Sequence, residues 1–163
     1  MFETAWKGRC AALHVAHVTL RYHRRRQRFF DLLDKGTKAA TVLLGASLLG
    51  QQFQKALPLV ASAISGLGLL ALVFGYGDRK QAHKELAEQA ALLAAKIEEL
   101  PLAKLDDAAV RSWQAEQLRL DAKEPPALRT LVEICEWEEA CRAGHAGHMR
   151  RPGWLRRLVA DFV

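Results

Sequence analysis

Four side chains near the C-terminus have the right types to hold a metal: Cys135, Cys141, His145 and His148. Zinc takes thiolate sulfur and imidazole nitrogen tetrahedrally, so these types suit a Cys₂His₂ site. Their spacing suits it less. Five residues separate the two cysteines, wider than a short zinc knuckle, although Cys141 and His145 share a helical face. The plainer reading is preferred, with Cys135 a small buried residue and the histidines on a loop. No metal or cofactor is expected. His14 and His17 lack a third ligand, and together with His23 they are expected at surface or interface positions. Gly66-Leu67-Gly68 and Gly75-Tyr76-Gly77 lie in or beside an uncharged run, where a phosphate has no place. Thr41, Ser47, Ser62 and Ser65 have no His/Asp relay around them. Glu133, Glu136, Glu138 and Glu139 read as a solvated helix face. No catalytic constellation emerges, and an enzyme is not expected.

The elements that must position these residues are dominated by one stretch. Ala56 to Gly77 carries no charge, and about 22 helical residues span roughly 33 Å, close to the hydrocarbon thickness of a bilayer. A second uncharged run, Ala39 to Gln54, precedes it across Lys55, although only Ala39 to Gly50 is strongly apolar. The expected arrangement is a membrane hairpin of two spans. A soluble helical bundle with one very apolar helix is the alternative.

Charge placement supports the hairpin. Lys7, Arg9, Arg21, Arg24, Arg25, Arg26, Arg28, Lys35 and Lys38 precede the first run, Arg79, Lys80 and Lys84 follow the second, and only Lys55 lies between. Basic residues close to span ends stay on the cytoplasmic side, so both termini are predicted cytoplasmic with the Gln51–Leu57 turn outside. The net charge of the whole chain is +6, and the arm before the first run alone carries that excess. The cluster Arg21, Arg24, Arg25, Arg26 and Arg28 therefore reads as an anionic-lipid contact. Nucleic acid is the less favoured ligand, because no base-reading fold accompanies the cluster. Met1 to Lys7 lacks the apolar core of a secretory signal. Three cysteines on the cytoplasmic side argue against a disulfide framework.

No alternating strand pattern is present, so the predicted fold is all-α. Residues 1–38 read as a basic amphipathic helix with Trp6, Cys10, Leu13, His17 and Leu20 on one face. Phe29, Phe30, Leu32 and Leu33 mark the interface, and Gly36 is a candidate kink. Residues 39–77 form the hairpin. Residues 78–124 form a cytoplasmic helical region with a short coiled-coil seam at Leu86, Ala90, Leu93, Ile97 and Leu100. Pro101 and Asp106-Asp107 divide it from a helix with a weaker stripe, Val110, Trp113, Gln117 and Leu120. Residues 125–163 form a helical tail. Pro126 can open its first helix, Gly144 can stop it, and Trp154, Leu155, Leu158, Val159 and Phe162 run along its last.

Small residues in the spans are candidates for close helix packing: Ala46 and Gly50 in the first, and Ala61, Ser65, Gly68 and Gly75 in the second. They serve either packing inside one hairpin or lateral association into a homo-oligomer.

The layout Arg21–Asp31 (Arg-Tyr-His-Arg-Arg-Arg-Gln-Arg-Phe-Phe-Asp), two short spans, then Asp78-Arg79-Lys80-Gln81-Ala82-His83, resembles the SLATT superfamily of bacterial two-helix membrane proteins. The resemblance covers about Thr19 to Leu100. The tail, Leu128–Arg142 with the final Trp154–Val163 segment, looks like small membrane proteins of transposable phages and integrated elements. What the resemblance implies is an oligomerising pore-forming or membrane-perturbing effector in bacterial or phage conflict, placed in the bacterial inner membrane. No sensor domain accompanies the chain. The alternative expectation is a non-enzymatic, membrane-anchored interaction module that recruits a cytoplasmic protein partner.

Overall fold

The structure, a computed structural model, describes residues 2–47, 57–145, 147 and 149–162. Among these the fold is all-helical, with no strand: α1 (Phe2–Ser47), α2 (Leu57–Phe74), α3 (Tyr76–Glu99), a 3₁₀ turn at Leu102–Lys104, α4 (Asp107–Asp121), α5 (Arg129–Arg142) and α6 (Trp154–Val159). The chain forms two compact units, Arg26–Ala82 and, from both sides of it in sequence, Met1–Arg25 with His83–Val163. These units cut across the four segments read from sequence. The N-terminal arm runs without a break into the first apolar run as α1, and its first 25 residues belong to the same unit as the C-terminal helices.

Helix ends are set by local chemistry. Asp106 caps α4, its carboxylate accepting from the Ala109 amide at 2.7 Å. Arg9, almost fully buried on α1, closes the end of α3 by donating to the carbonyls of Glu98 and Leu100, each at 3.2 Å. Gly144 stops α5 as expected: its amide donates to the Cys141 carbonyl, and His145 reaches back to Ala140 at 2.8 Å. Pro126 does not open α5, which begins three residues later at Arg129. The Leu128 amide just before it donates to the Tyr22 hydroxyl at 3.1 Å.

In the unit containing the termini, the core is built from α1, α3 and α4. Leu86, Leu93, Ala94 and Ile97 of α3 pack with Ala5 and Ala16 of α1 and with Val110, Trp113 and Leu120 of α4. The buried face of α1 overlaps the predicted one in part: Leu13 packs against the core, and His17 and Leu20 are half-buried. Trp6 and Cys10 are exposed, whereas Ala5, Arg9, Ala16 and His23 are buried. At Gly8 the close approach of α4 requires a small residue: a Cβ placed there would sit 2.7 Å from Val110 Cγ1. A second core joins Tyr22 with Leu131, Ile134 and Cys135 of α5 and with Ala160 beyond α6.

In the other unit, α1 passes Gly36 without a break. The Thr37 hydroxyl donates to the carbonyls of Leu33 and Asp34, and Thr41 donates to that of Thr37, so these polar groups are satisfied by the helix itself. Gly75 separates α2 from α3. Its φ of +53° is a left-handed conformation that only glycine adopts cheaply. Hydrogen bonds from Gly75 to Ala71 and from Arg79 to Gly75 carry the chain through the bend.

Candidate membrane interface

The candidate surface starts from α2, which is uncharged along its length and has no buried residue. Among the described residues, one helix is long and apolar enough to cross a membrane, and it contains α2. Leu59, Leu69, Leu72 and Val73 are each more than half exposed, as are Val42 and Leu43 on α1. Burying a Leu or Val side chain is worth about 1.5–3 kcal/mol, so these six leave on the order of 10 kcal/mol unrealised in water. That matches the entire stability of a typical domain, about 5–15 kcal/mol. The predicted first span, 39–54, is described only through Ser47. Gly50, the Gln51–Leu57 turn up to Ala56, and Lys55 lie outside the described residues.

Half-buried positions recur along both apolar helices of this unit. On α2 they are Val60, Ile64, Leu67 and Ala71; on α1 they are Thr37, Ala40, Thr41 and Leu44. Both sets recur at helical spacing. The small residues predicted for close packing lie beside this stripe. Ala61, Ser65 and Gly68 each sit one position after a member of the stripe and are exposed, and so is Ala46. A Cβ on Gly68 would meet nothing within 4 Å. Gly75 serves the bend rather than the packing face.

At one end of the unit, charged and aromatic groups gather. Asp31 on α1 pairs with Lys80 on α3 at 2.9 Å and with Lys35 at 2.7 Å, and these ammonium groups hold its carboxyl below the usual range. Arg26 lies over the rings of Phe29 and Phe30 at 5.0 and 4.6 Å, and Arg79 also lies over Phe30. Phe74 stacks on Tyr76 across the Gly75 bend. Aromatic rings beside charged heads suit the headgroup level of a bilayer. The Asp31–Lys80 pair also brings the chain back, after α2, to the end it left along α1.

The basic cluster divides in two. Arg21 donates to Glu139 at 2.6 Å and Arg25 to Glu138 at 3.2 Å, so both are held by α5. Arg24 and Arg28 are exposed. An acidic run expected to be solvated is thus partly internal. Glu139 is buried, accepts from Arg21 and Arg142, and lies 3.1 Å from His17 Nδ1. Burial raises its carboxyl, but the two guanidinium groups outweigh this and hold it below the usual range.

The coiled-coil seam is also internal. Leu86, Ala90, Leu93 and Ile97 are buried and Leu100 is partly buried, against α1 and α4 of the same chain. The periodicity was legible; the identity of the partner was not.

One buried polar cluster was missed. His23 was expected near the surface, yet it is fully buried, with its Nδ1 2.9 Å from His83 Nδ1. The edge of Tyr22 lies against both rings. His23 Nε2 lies 3.5 Å from Glu124 and makes no hydrogen bond. Burial, aided by the His83 imidazole, pushes His23 down to about 4, and burial with Asp121 nearby pushes Glu124 up to about 6. A signal existed in the sequence. His83 is three residues before Leu86, one more step of the seam, and Arg9, Ala16 and His23 recur at intervals of seven.

Of the candidate zinc ligands, Cys135 is fully buried, its thiol pushed up to about 12 chiefly by that burial. Cys141 is half-buried, His145 is exposed, and His148 lies outside the described residues. Among the described residues no three His, Cys, Asp or Glu side chains are grouped to hold a metal. Compared with known proteins, the chain matches no family model, no curated protein and no solved structure at a significant level.

Proposed function

We propose that this chain is a two-pass membrane protein that anchors a helical unit beside the bilayer and acts through binding rather than catalysis. The observation that carries the reading is α2, apolar throughout and with no buried residue. Lipid supplies the cover that the described residues leave incomplete, while the helix satisfies its own backbone groups. The Asp31–Lys80 pair supports two passes rather than one, since the chain returns to its point of departure. Both ends of the hairpin are then on the basic, cytoplasmic side.

A second reading is the SLATT-like one, in which hairpins associate laterally and perturb the membrane. The outward position of Ala61, Ser65 and Gly68 favours it, because small side chains let helices of neighbouring copies approach closely where lipid gives no hydrophobic drive.

Both readings meet one experiment: tightly controlled expression in bacterial cells, with membrane potential followed and carbonate-washed membranes fractionated from the same culture. Chain retained in washed membranes at unchanged potential is the result expected for an anchor. Depolarisation that Gly68→Leu abolishes would establish the lateral reading instead. Chain released into the soluble fraction would overturn both.

A further inference from the structure

The C-terminal segment presents an apolar face outward. One side of α6 is tied to the body of its unit. Arg157 lies over the Trp137 ring at 4.9 Å, Arg156 pairs with Glu133 at 3.2 Å, and Ala160 just beyond is fully buried against α5. Trp154, Leu155 and Leu158, at i, i+1 and i+4, occupy the opposite side, and Phe162 continues it. All four are at least 60% exposed, Trp154 at 70%. In a helix that simply caps a core, the apolar side faces in and the arginines face out. Here the order is reversed, so the exposed face requires a cover of its own.

We propose that this face, flanked by Arg150 and Arg151, is an interfacial anchor that seats on an anionic phospholipid surface. Two observations select lipid as the occupant. The first is charge: Arg150 and Arg151 are exposed beside Trp154 and Leu155, in a hollow also lined by Glu136 and by Glu133, which is already paired with Arg156. Basic side chains beside an apolar face are drawn to the negative surface potential of an anionic leaflet. The second is size. A helix of six residues is roughly 9 Å long, too short to build the roughly 800 Å² per partner of a stable protein interface. It is long enough to dip an indole and two leucines to headgroup depth, where amphipathic segments with basic polar sides bind. This contact is separate from the hairpin and uses residues outside it.

The test uses the full chain, wild type and Trp154→Phe, mixed with vesicles of phosphatidylcholine and phosphatidylglycerol carrying brominated acyl chains. The difference in fluorescence quenching between the two proteins reports Trp154 alone, and flotation of the same samples reports membrane attachment. The expected result is a Trp154 share quenched at least twofold more with phosphatidylglycerol than in phosphatidylcholine alone, and reduced by the pair Arg150→Gln and Arg151→Gln. Chain that floats with Trp154 unquenched overturns the tail anchor and leaves the hairpin standing. A blue-shifted but unquenched Trp154 places protein on the face and also overturns the proposal. Chain that floats only with phosphatidylglycerol and is stripped by carbonate keeps the tail anchor and removes the hairpin. Chain that floats with neither composition overturns both.

Discussion

Helices α2 and α3 are neighbours in sequence, divided only by Gly75, yet they solve opposite problems. In α2 nearly every residue is apolar and none is buried. In α3, rich in Lys, Glu and Gln, seven residues are buried: His83, Leu86, Ala87, Ala90, Leu93, Ala94 and Ile97. Burial within a chain follows the periodicity of apolar residues, not their number. A narrow stripe can be covered by two other helices. A cylinder that is apolar all round needs either a large protein or a lipid phase to cover it.

The comparison breaks most visibly at Leu93. Truncating this buried side chain by Leu93→Ala is expected to cost about 2–5 kcal/mol, seen as a lower melting temperature of the detergent-solubilised chain by circular dichroism. An unchanged melt would mean that α3 does not carry the core.

Next come two arginines placed on equally exposed leucines, Leu69→Arg on α2 and Leu92→Arg on α3. An arginine at the centre of a span costs about 2.5–3.5 kcal/mol on an insertion scale. The first variant should leave carbonate-washed membranes while the second stays. Equal behaviour of the two would remove lipid from the account of α2.

A sharper comparison lies inside the polar unit, at His23 and Glu124. His23, lowered from 6.5 to about 4, takes up its proton only on unfolding across that range, so its contribution is lost as pH falls. Glu124, raised from 4.5 to about 6, keeps a proton in the folded state that the unfolded chain releases, so its contribution is lost as pH rises through about 6. The windows overlap and the signs oppose, leaving the wild type nearly level between pH 6.5 and 4.5. Glu124→Gln should uncover a loss on the order of 2 kcal/mol on acidification from pH 7 to 4.5, and His23→Asn should show a gain. Denaturant titrations at the two pH values measure both. Parallel slopes in the two variants would separate the groups.

The smallest effect is expected at the divide itself. Gly75→Ala places a Cβ on a left-handed residue and should cost about 1 kcal/mol, read as a modest fall in melting temperature without loss from membranes.

Much of this architecture was legible in sequence. Asp106 and Gly144 announce helix ends, the spacing Leu86–Ala90–Leu93–Ile97 announces a buried seam, and the uncharged run from Ala56 announces a helix with nothing polar to show to water. These are local properties, since capping, periodicity and hydropathy are fixed by residues within a few turns of one another. What covers each face is not local. Arg21 and Arg25 read as lipid contacts until α5 brings Glu138 and Glu139 to them. On α2, Val60, Ile64 and Leu67 are half-buried while Ala61, Ser65 and Gly68, one residue later, are exposed. A rotation of 100° about a helix axis separates those two outcomes, and neighbours in space decide it. The meeting of His23 with His83, sixty residues apart, is likewise a product of tertiary structure alone. Sequence determined which segments are helical and which of them repel water; the folded chain decided which charges are already paired, which seam is already filled, and which apolar faces remain uncovered.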